Sequence, residues 1–468
     1  MKKRFFTLIF LLAVVLILIF SMTACNSSDC SSAQSSDEMP GSESEPAGES
    51  TPDSNPCYYY HQAWGEWVTD REATCTETGV KVSVCLGCGY ERTQKIRILG
   101  HDYNDDYECI RCDHTASKGL EFSVGSKSCS VIGRGTCTDT EIVIPSKRSD
   151  GVPVTRVYGF NNCNDITSVV IPYTVGDISG FNNCASLSNV DFSGGTIGWY
   201  AFQNCDSLTS LDLSGVSKIG KYAFSGCSGL KEIFIPESVT EIEALAFSGC
   251  ENLEIIEASE DNKVYSSVNN CLIKTEKRSL VLGCKTSVIP SKYVGEIGER
   301  AFYGCVGLTS IVIPSNVNVI DKEAFANCVD LTSVEFPDFV QVAIINSGAF
   351  SGCVNLERVT AHEYTITQVG DYAFLDCIKL ADINITWTFE VGAYAFYNCK
   401  SLKSITVCEV ASRIGEYAFG GCDGLESVVF EVTDGWLRAG EAVDLSDPSR
   451  NAEELRAIYS SYELTRPS

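Results

Sequence analysis

Two stretches of the chain, IGKYAFSGCSGLKEIFIP at residues 219–236 and IGERAFYGCVGLTSIVIP at residues 297–314, are copies of one pattern. Both read Ile-Gly-x-x-Ala-Phe-x-x-Cys-x-x-Leu-x-x-Ile-x-Ile-Pro, and related copies fill most of the chain. Successive cysteines of the pattern lie 21 to 25 residues apart, with one step of 55, at Cys163, Cys184, Cys205, Cys227, Cys250, Cys305, Cys328, Cys353, Cys377, Cys399 and Cys422. A repeat of this kind builds a long stack of similar units, each packed only on its neighbours.

The pattern predicts the form of one unit. Its Leu-x-x-Ile-x-Ile segment alternates with period two, which predicts a short strand with one buried face, and the proline after it ends the strand. Ala-Phe predicts one buried ring per unit, and we expect the glycines of Ile-Gly, at Gly220, Gly298, Gly370, Gly392 and Gly415, to supply backbone freedom for a turn. The period is that of leucine-rich repeats. We therefore predict a mainly β leucine-rich repeat solenoid over residues 118–429.

The repeated cysteine permits two interpretations. Neighbouring strands lie about 4.8 Å apart, so the sulfurs of adjacent units could approach as metal ligands or disulfides. Side chains in register point the same way, however, which suits the torsion of a disulfide poorly, and cysteine is a good small buried residue. We predict buried free thiols.

One long step and the C-terminal end depart from the rhythm. Residues 251–304 predict a variant unit that carries a hairpin, with Asn269-Asn270 as its turn. This insert is either a decorative loop or a protruding recognition feature. Residues 430–468 lose the pattern and predict a C-terminal cap, with a short helix at residues 451–460.

The N-terminal segment predicts export. Lys2, Lys3 and Arg4 precede an apolar run, and Met22-Thr23-Ala24-Cys25 follows it, which is typical of a signal peptide at residues 1–24. The last four residues resemble a bacterial lipobox, which implies a covalent lipid on Cys25; an uncleaved anchor or another cleavage site are the alternatives. Residues 25–56 are rich in Ser, Glu and Pro and predict a disordered tether. The expected location is extracellular, anchored to the outer face of the bacterial cell membrane.

A small cysteine module is predicted at residues 57–117. Two CxxC pairs, Cys85/Cys88 and Cys109/Cys112, have the spacing of a zinc-ribbon-like site in which four thiolates hold a structural zinc ion. Three of the four histidines, His61, His101 and His114, and Cys75 lie nearby. Because exported cysteines are often paired, disulfides remain an alternative, and a redox-active CxxC is a weaker one.

Repeat motif, spacing and insert together resemble the BspA-like leucine-rich repeat family of bacterial surface proteins. The resemblance implies a solenoid at the cell surface and a role in adhesion to host matrix proteins or other bacteria. It implies no particular ligand, because family members share the framework without sharing one binding motif.

The sequence contains no convincing catalytic motif. Residues 215–222 nearly match a phosphate-binding loop, but Tyr222 stands where Ser or Thr must reach magnesium, and His362-Glu363 lacks the second histidine of a zinc protease. The formal charge of −26 over 468 residues disfavours nucleic acid and anionic lipid as partners. We predict a non-catalytic protein that touches the membrane only through its N-terminal lipid.

The remaining candidate site is the outward face of the strands. The residue between the last two buried positions of each strand forms a row with no basic stripe and no aromatic platform for sugars or bases. This face is either a solvated sheet surface or a shallow protein-binding face. As the binding face, we predict adhesin-like contacts through Asp212, Phe234, Glu257, Val312, Glu335 and Thr360. The alternative function is a self-associating envelope or surface scaffold.

Overall fold

The computed structural model describes residues 65–74, 79–86, 89, 91–96, 104, 108–111, 115–192, 194–336, 343–362, 365–457 and 463–466. The predicted signal peptide, tether and lipidated Cys25 lie outside these residues. So do Cys75, Cys88, Cys112 and the histidines of the cysteine module.

The cysteine module contains a three-stranded antiparallel sheet with the order β1-β2-β3. Its strands are β1 (Val68–Arg71), β2 (Gly79–Val84) and β3 (Glu91–Ile96). The guanidinium of Arg92 lies 4.6 Å from the centroid of the Trp67 ring. A cation at this distance from an indole face is attracted to the ring, so β3 and the segment before β1 are tied together.

The first part of the solenoid begins with one antiparallel pair and continues with parallel strands. In most coils one short strand joins a sheet on one side of the stack, and a second joins a sheet on the other side, although residues 209–213 form no strand. One sheet has the order β10-β8-β6, the second β14-β12-β11-β9-β7-β5-β4, and β13 pairs with β15. The strands are β4 (Glu121–Val124), β5 (Cys129–Gly133), β6 (Glu141–Val143), β7 (Val154–Val157), β8 (Ser168–Ile171), β9 (Asp177–Ile178), β10 (Asn189–Phe192), β11 (Gly195–Ile197), β12 (Val216–Ile219), β13 (Glu232–Ile235), β14 (Glu241–Ile242) and β15 (Ile255–Ala258).

The insert forms an antiparallel meander of β16 (Tyr265–Val268), β17 (Cys271–Lys274) and β18 (Ser279–Leu282). Asn269 and Asn270 connect β16 to β17 with φ of 52° and 58°. Two successive left-handed residues are what a tight two-residue hairpin requires, and asparagine tolerates that conformation. β18 then pairs in parallel with the next coil, so the insert continues the stack.

The second part of the solenoid repeats the parallel arrangement. Its long sheet has the order β16-β17-β18-β19-β21-β23-β25-β27-β29 and continues into three strands of the C-terminal end, and the opposite side carries β20-β22-β24-β26 and β28-β30. The strands of this part are β19 (Glu296–Ile297), β20 (Ser310–Val312), β21 (Val319–Ile320), β22 (Ser333–Glu335), β23 (Ala343–Ile345), β24 (Arg358–Thr360), β25 (Ile366–Val369), β26 (Asp382–Ile383), β27 (Glu390–Val391), β28 (Ser404–Val407), β29 (Arg413–Ile414) and β30 (Ser427–Phe430). The predicted mainly β leucine-rich repeat solenoid is confirmed.

The core is a column of stacked rings flanked by aliphatic side chains. Along β13, for example, Ile233 and Ile235 are buried while Phe234 between them is exposed, as period-two alternation predicts. The phenylalanines of Ala-Phe stack with nearly parallel planes, on both sides of the insert. No coil could bury its own ring alone, so the stack is the stabilising unit.

The glycines of Ile-Gly have a different role from the one predicted. Gly220, Gly298, Gly370, Gly392 and Gly415 are absent from the residues with positive φ, so no turn depends on their freedom. They are needed for close approach: a Cβ at Gly392 would lie 2.4 Å from the backbone nitrogen of Asp371 in the preceding coil. The left-handed residues of this corner come later in the pattern, for example Tyr222 (φ 59°) and Gly226 (φ 75°).

The C-terminal end folds over the last coil. It contains β31 (Leu437–Arg438), β32 (Glu441–Ala442), α1 (Pro448–Arg456) and β33 (Leu464–Thr465). The helix starts three residues before the predicted 451 because Asp447 caps it, its Oδ1 accepting hydrogen bonds from the backbone N–H groups of Ser449 at 3.0 Å and Arg450 at 3.2 Å. Leu455 of this helix and Trp436 are buried and belong to the core cluster of the second part. No helix in the described part of the chain is long and apolar enough to cross a membrane.

Candidate functional site

The predicted row on the outward strand face consists of two groups of neighbours. Phe234 of β13 is the register partner of Glu257 of β15. After the insert, Val312, Glu335 and Thr360 are partners in β20, β22 and β24. Parallel pairing in register brings equivalent positions of successive coils side by side, so the repeat itself creates these two groups.

Asp212 does not join the row on a strand. The segment around it forms no strand, and its Oδ1 accepts a hydrogen bond of 2.9 Å from the backbone N–H of Ser214. An aspartate that bonds the backbone two residues on favours a turn over an extended ladder. The side chain therefore has a local structural role.

Before the insert, the strand face carries a mixed apolar and acidic surface, which we call the N-terminal strand patch. Phe234 and Ile255 are 50% and 42% exposed, and Glu232 and Glu257 are exposed beside them. The register pairs are Glu232 with Ile255 and Phe234 with Glu257, so the apolar side chains lie on one diagonal and the carboxylates on the other. Large exposed apolar groups rimmed by polar ones are typical of interaction sites.

The equivalent surface after the insert, the C-terminal strand patch, is more polar. It consists of Ser310, Val312, Ser333 and Glu335, and Val312, 48% exposed, is its large apolar side chain. The two patches occupy equivalent strand positions in equivalent coils. Their difference therefore lies in side-chain chemistry.

The N-terminal strand patch is bounded on both sides. On one side, Nε2 of Gln94 in the cysteine module donates a hydrogen bond of 3.3 Å to Oε1 of Glu237. On the other side, the insert covers the edge of β15: the Ser267 Oγ accepts from the Ala258 N–H at 2.8 Å, and the Asn270 Oδ1 from the Ile256 N–H at 3.3 Å. Because side chains satisfy that edge, it offers no free ladder for another strand.

The module also covers the beginning of the strand face. Cys109 and Ala116 pack with Val143 of β6, and Val170 of β8 is partly buried against this cluster. Val170 and Val143 point away from the solenoid core, so their burial depends on the module. Sequence alone placed Val170 on an open row, because nothing in it shows where the module lies.

The cysteines of the repeat are free, and they form a ladder of their own. Nine of the eleven thiols donate to the backbone carbonyl of a phenylalanine in a preceding coil, as from Cys205 Sγ to Phe181 O and from Cys399 Sγ to Phe374 O, at 3.1 and 3.2 Å. Burial raises the pKa of the Cys184 thiol to about 11 and that of Cys250 to about 12. A thiol held neutral in this way is a poor nucleophile, and its hydrogen bond to another coil gives the ladder a structural role.

The predicted zinc or disulfide site is described only in part. Cys85 and Cys109 are both buried, and each is the first cysteine of its CxxC pair. Cys88 and Cys112, the second members, lie outside the described residues. Within the described part of the chain, no cluster of three or more His, Cys, Asp or Glu could hold a metal ion. Structural zinc at Cys85, Cys88, Cys109 and Cys112 stays a prediction.

A further surface, which the sequence analysis missed, is an aromatic edge at the corner before Ala-Phe. Tyr200 stacks on Tyr222 with ring centroids 5.0 Å apart, and Tyr394 stacks on Tyr372 and Tyr417 at 5.2 and 4.9 Å. All five have positive φ, which turns the ring outward from the core. The signal was a tyrosine recurring two residues after the repeat glycine, outside the strand row that was searched for aromatic groups.

Comparison with known proteins gives one family match. The profile described as BspA type leucine rich repeat region matches residues 155–274 and 285–433 in six copies, which is more than half of the chain. No curated protein matches the chain.

Several solved structures are similar. A leucine-rich repeat protein from Eubacterium ventriosum is 24% identical, with a TM-score of 0.44, over 65% of this chain and 93% of that one. A leucine rich cell surface protein from Faecalibacterium prausnitzii is 23% identical, with a TM-score of 0.43, over 73% and 97%. The pneumococcal vaccine antigen PcpA is 17% identical, with a TM-score of 0.45, over 68% and 87%.

Proposed function

Because this chain belongs to the BspA-type leucine-rich repeat family, we propose that it is a non-catalytic recognition protein of the bacterial cell surface. It binds protein partners through the outward face of its strands, as an adhesin-like module. The N-terminal strand patch is the surface that supports this assignment best.

The observation that carries the proposal is the pair of exposed side chains Phe234 and Ile255 on one diagonal of β13 and β15. Neither of these two side chains is needed in the core, because Ile233, Ile235 and Ile256 fill it from the same strands. Aromatic side chains are enriched at the energetic centres of protein interfaces. The flanking module and hairpin make this patch a bounded surface on an otherwise repetitive face.

The charges of the patch define the partner. Glu232 and Glu257 flank the apolar diagonal, and the chain as a whole carries a formal charge of −26. A complementary protein presents an apolar side chain surrounded by Lys or Arg. Attraction between such exposed charges is screened by salt, so binding weakens as ionic strength rises.

For the anchor, the proposal rests on sequence. A covalent lipid on Cys25 would hold the protein at the outer face of the membrane, with residues 25–56 as a spacer. Incorporation of labelled palmitate in cells by the full-length protein, lost in Cys25→Ser, would support this; labelling that persists in Cys25→Ser would exclude that site.

The recognition proposal is tested with the full-length protein in detergent, immobilised and exposed to matrix proteins, bacterial surface proteins and a second copy of itself. We expect saturable capture of a heterologous protein, reduced at least tenfold by Phe234→Asp because the substitution removes a central aromatic contact. The matched control is Val312→Asp, which makes the same chemical change at the equivalent position after the insert and should leave affinity unchanged.

Three outcomes contradict the proposal. Equal losses in the two variants would remove the N-terminal strand patch as the specific site. Self-association without heterologous capture would favour the scaffold alternative. Absence of saturable binding to every protein tested would reject recognition of these classes, while the family membership would stand.

A further inference from the structure

Two coils near the start of the solenoid are shorter than the rest at one corner. A full coil has four residues between its buried β-branched residue and its phenylalanine, as at residues 220–223, whereas two early coils have only two, at residues 158–159 and 179–180. The interior is unaffected, because Phe160, Phe181 and Phe202 still stack at 5.0 and 5.5 Å. The two residues that each short coil lacks are therefore surface residues of a full coil. Their absence leaves a notch beside the first full coil.

The notch is lined by residues of three successive coils, among them Tyr158, Ser179, Asn182, Trp199 and Tyr200. Its floor is backbone: Gly159 and Gly180 have φ of 94° and 80°, and a Cβ at Gly180 would lie 2.4 Å from the nitrogen of Gly159. Side chains are thus excluded from the floor, and the notch stays open.

One wall is an aromatic ring that is exposed and held in place. Trp199 is 63% exposed. Its ring lies over Gly220, where a Cβ would come within 2.8 Å of Trp199 Cδ1. A platform fixed before binding loses little freedom when a ligand stacks on it.

The polar lining is a column of side-chain amides. Asn161, Asn182 and Gln203 occupy the position after the phenylalanine in three successive coils, whose spacing is about 4.8 Å. Later coils have Ser, Tyr, Ala, Leu or Gly at this position, so the amides occur only where the notch is. The Asn182 Oδ1 is shielded from solvent and has no hydrogen-bond partner within the described residues. An oxygen shielded in this way cannot accept from a ligand in the notch, so the amides of the column that a ligand can reach are the exposed Asn161 and the partly exposed Gln203.

The notch carries no charge, although the protein is strongly acidic. It also offers no backbone edge for a peptide strand, because its amide and carbonyl groups already join coil to coil, as from Phe160 N–H to Gly180 O and from Phe181 N–H to Ala201 O. What remains is an exposed indole, a phenol on each side and amides that both donate and accept. An uncharged ligand with weakly positive C–H groups on one face and hydroxyls around its rim fits this set.

We propose that the notch is a binding site for a neutral saccharide. A pyranose ring stacks on Trp199, and its hydroxyls exchange hydrogen bonds with the amides of Asn161 and Gln203. This site lies on a different face of the coils from the N-terminal strand patch and is independent of the protein-binding proposal.

The test measures binding of the full-length protein to neutral hexasaccharides of glucose, mannose, galactose and xylose, with hexagalacturonate and an unrelated peptide as comparators. We expect saturable binding of at least one neutral hexasaccharide, with affinity lost at least tenfold in Trp199→Ala and partly kept in Trp199→Phe. Ser179→Tyr, which fills the notch, should also abolish it.

The matched control is Tyr372→Ala, which removes a ring of the aromatic edge where the corner is full length; Tyr372 is 43% exposed. Its affinity should equal that of the unsubstituted protein, and far-ultraviolet circular dichroism should be the same for all variants. No binding of any neutral hexasaccharide, binding of hexagalacturonate or peptide alone, or equal losses in Trp199→Ala and Tyr372→Ala would each overturn the proposal. Phe234→Asp should leave saccharide binding intact, so the two proposals can fail separately.

Discussion

Before the insert, the rings from Phe160 to Phe247 stack with centroids 5.0–5.5 Å apart; after it, the rings from Phe302 to Phe419 do so at 4.8–5.3 Å. The interiors are thus nearly the same. The surfaces differ, because the first part has two short corners, a column of amides and a module over its strand face. A repeat defines the core, and local departures from it create distinct surfaces.

The largest expected effect concerns the thiols that both parts share. Burial raises the pKa of the Cys184 thiol from the ordinary value of 9.0 to about 11, and it raises those of Cys377 and Cys399 well above 9.0. Because the folded-state pKa is raised, the contribution of such a thiol to stability is fully present below pH 9. That contribution is lost as the pH rises toward the folded-state pKa. The free energy of unfolding should fall by about 1.4 kcal/mol per thiol for each pH unit above 9.

Urea unfolding at pH 7.5, 9 and 10 measures this fall, and Cys399→Ala should reduce its slope by about one proton. Alkylation by iodoacetamide sharpens the comparison between the two parts. Cys163, only partly buried in the first part, should react before Cys399, which is fully buried in the second. Equal alkylation rates at Cys163 and Cys399 would contradict the prediction that the first coil is accessible to the reagent and the later coils are not.

The next effect is loss of a ring from the column. Phe350 stacks between Phe325 and Phe374 at 5.1 and 5.2 Å, so Phe350→Ala should cost about 3–5 kcal/mol of unfolding free energy. Phe247 ends the first column and, among the described rings, stacks on Phe224. Phe247→Ala should cost less by about 0.5–1.5 kcal/mol, the value of one aromatic pair. Urea unfolding measures both losses of free energy. A larger loss in Phe247→Ala than in Phe350→Ala would mean that packing against the insert stabilises the ring column.

The smallest effect tests the close approach of coils. Gly392→Ala places a Cβ 2.4 Å from a backbone nitrogen and should cost about 1–3 kcal/mol in thermal unfolding. Gly220→Ala should cost less, because its nearest backbone contact is 2.9 Å rather than 2.4 Å, and it should displace Trp199, whose Cδ1 would lie 2.8 Å from the new Cβ. Gly176→Ala is the control: nothing lies within 4 Å of its Cβ and its φ is not positive. A loss in Gly176→Ala equal to that in Gly392→Ala would refute the steric argument.

Much of the fold was predictable, because the repeat states the same physical requirement in every coil. Period-two alternation identified Ile233 and Ile235 as buried and Phe234 as exposed, and Ala-Phe identified the ring column. The role of Gly392 was predicted wrongly, since a sequence does not show whether a glycine serves a turn or a close contact. The helix began earlier than expected because the cap at Asp447 lies before the apolar pattern.

The candidate sites were predictable only as positions on a strand. Alternation placed Phe234, Glu257, Val312, Glu335 and Thr360 outward, and the register joins them. Asp212 does not lie on a strand as the row requires, because its own side chain bonds the backbone and competes with the extended conformation. The notch was missed because its residues are far apart in sequence and belong to three coils.

The sequence by itself determined the repeat, its buried face, the free thiols and the family, because each follows from local periodicity that recurs along the chain. Only the tertiary structure decided which outward residues stay exposed, since the module buries Val143 and the insert covers the edge of β15. It alone also brought Trp199 beside the amides of Asn161 and Asn182. Contacts between coils depend on where each chain segment stacks, and no single coil contains that information.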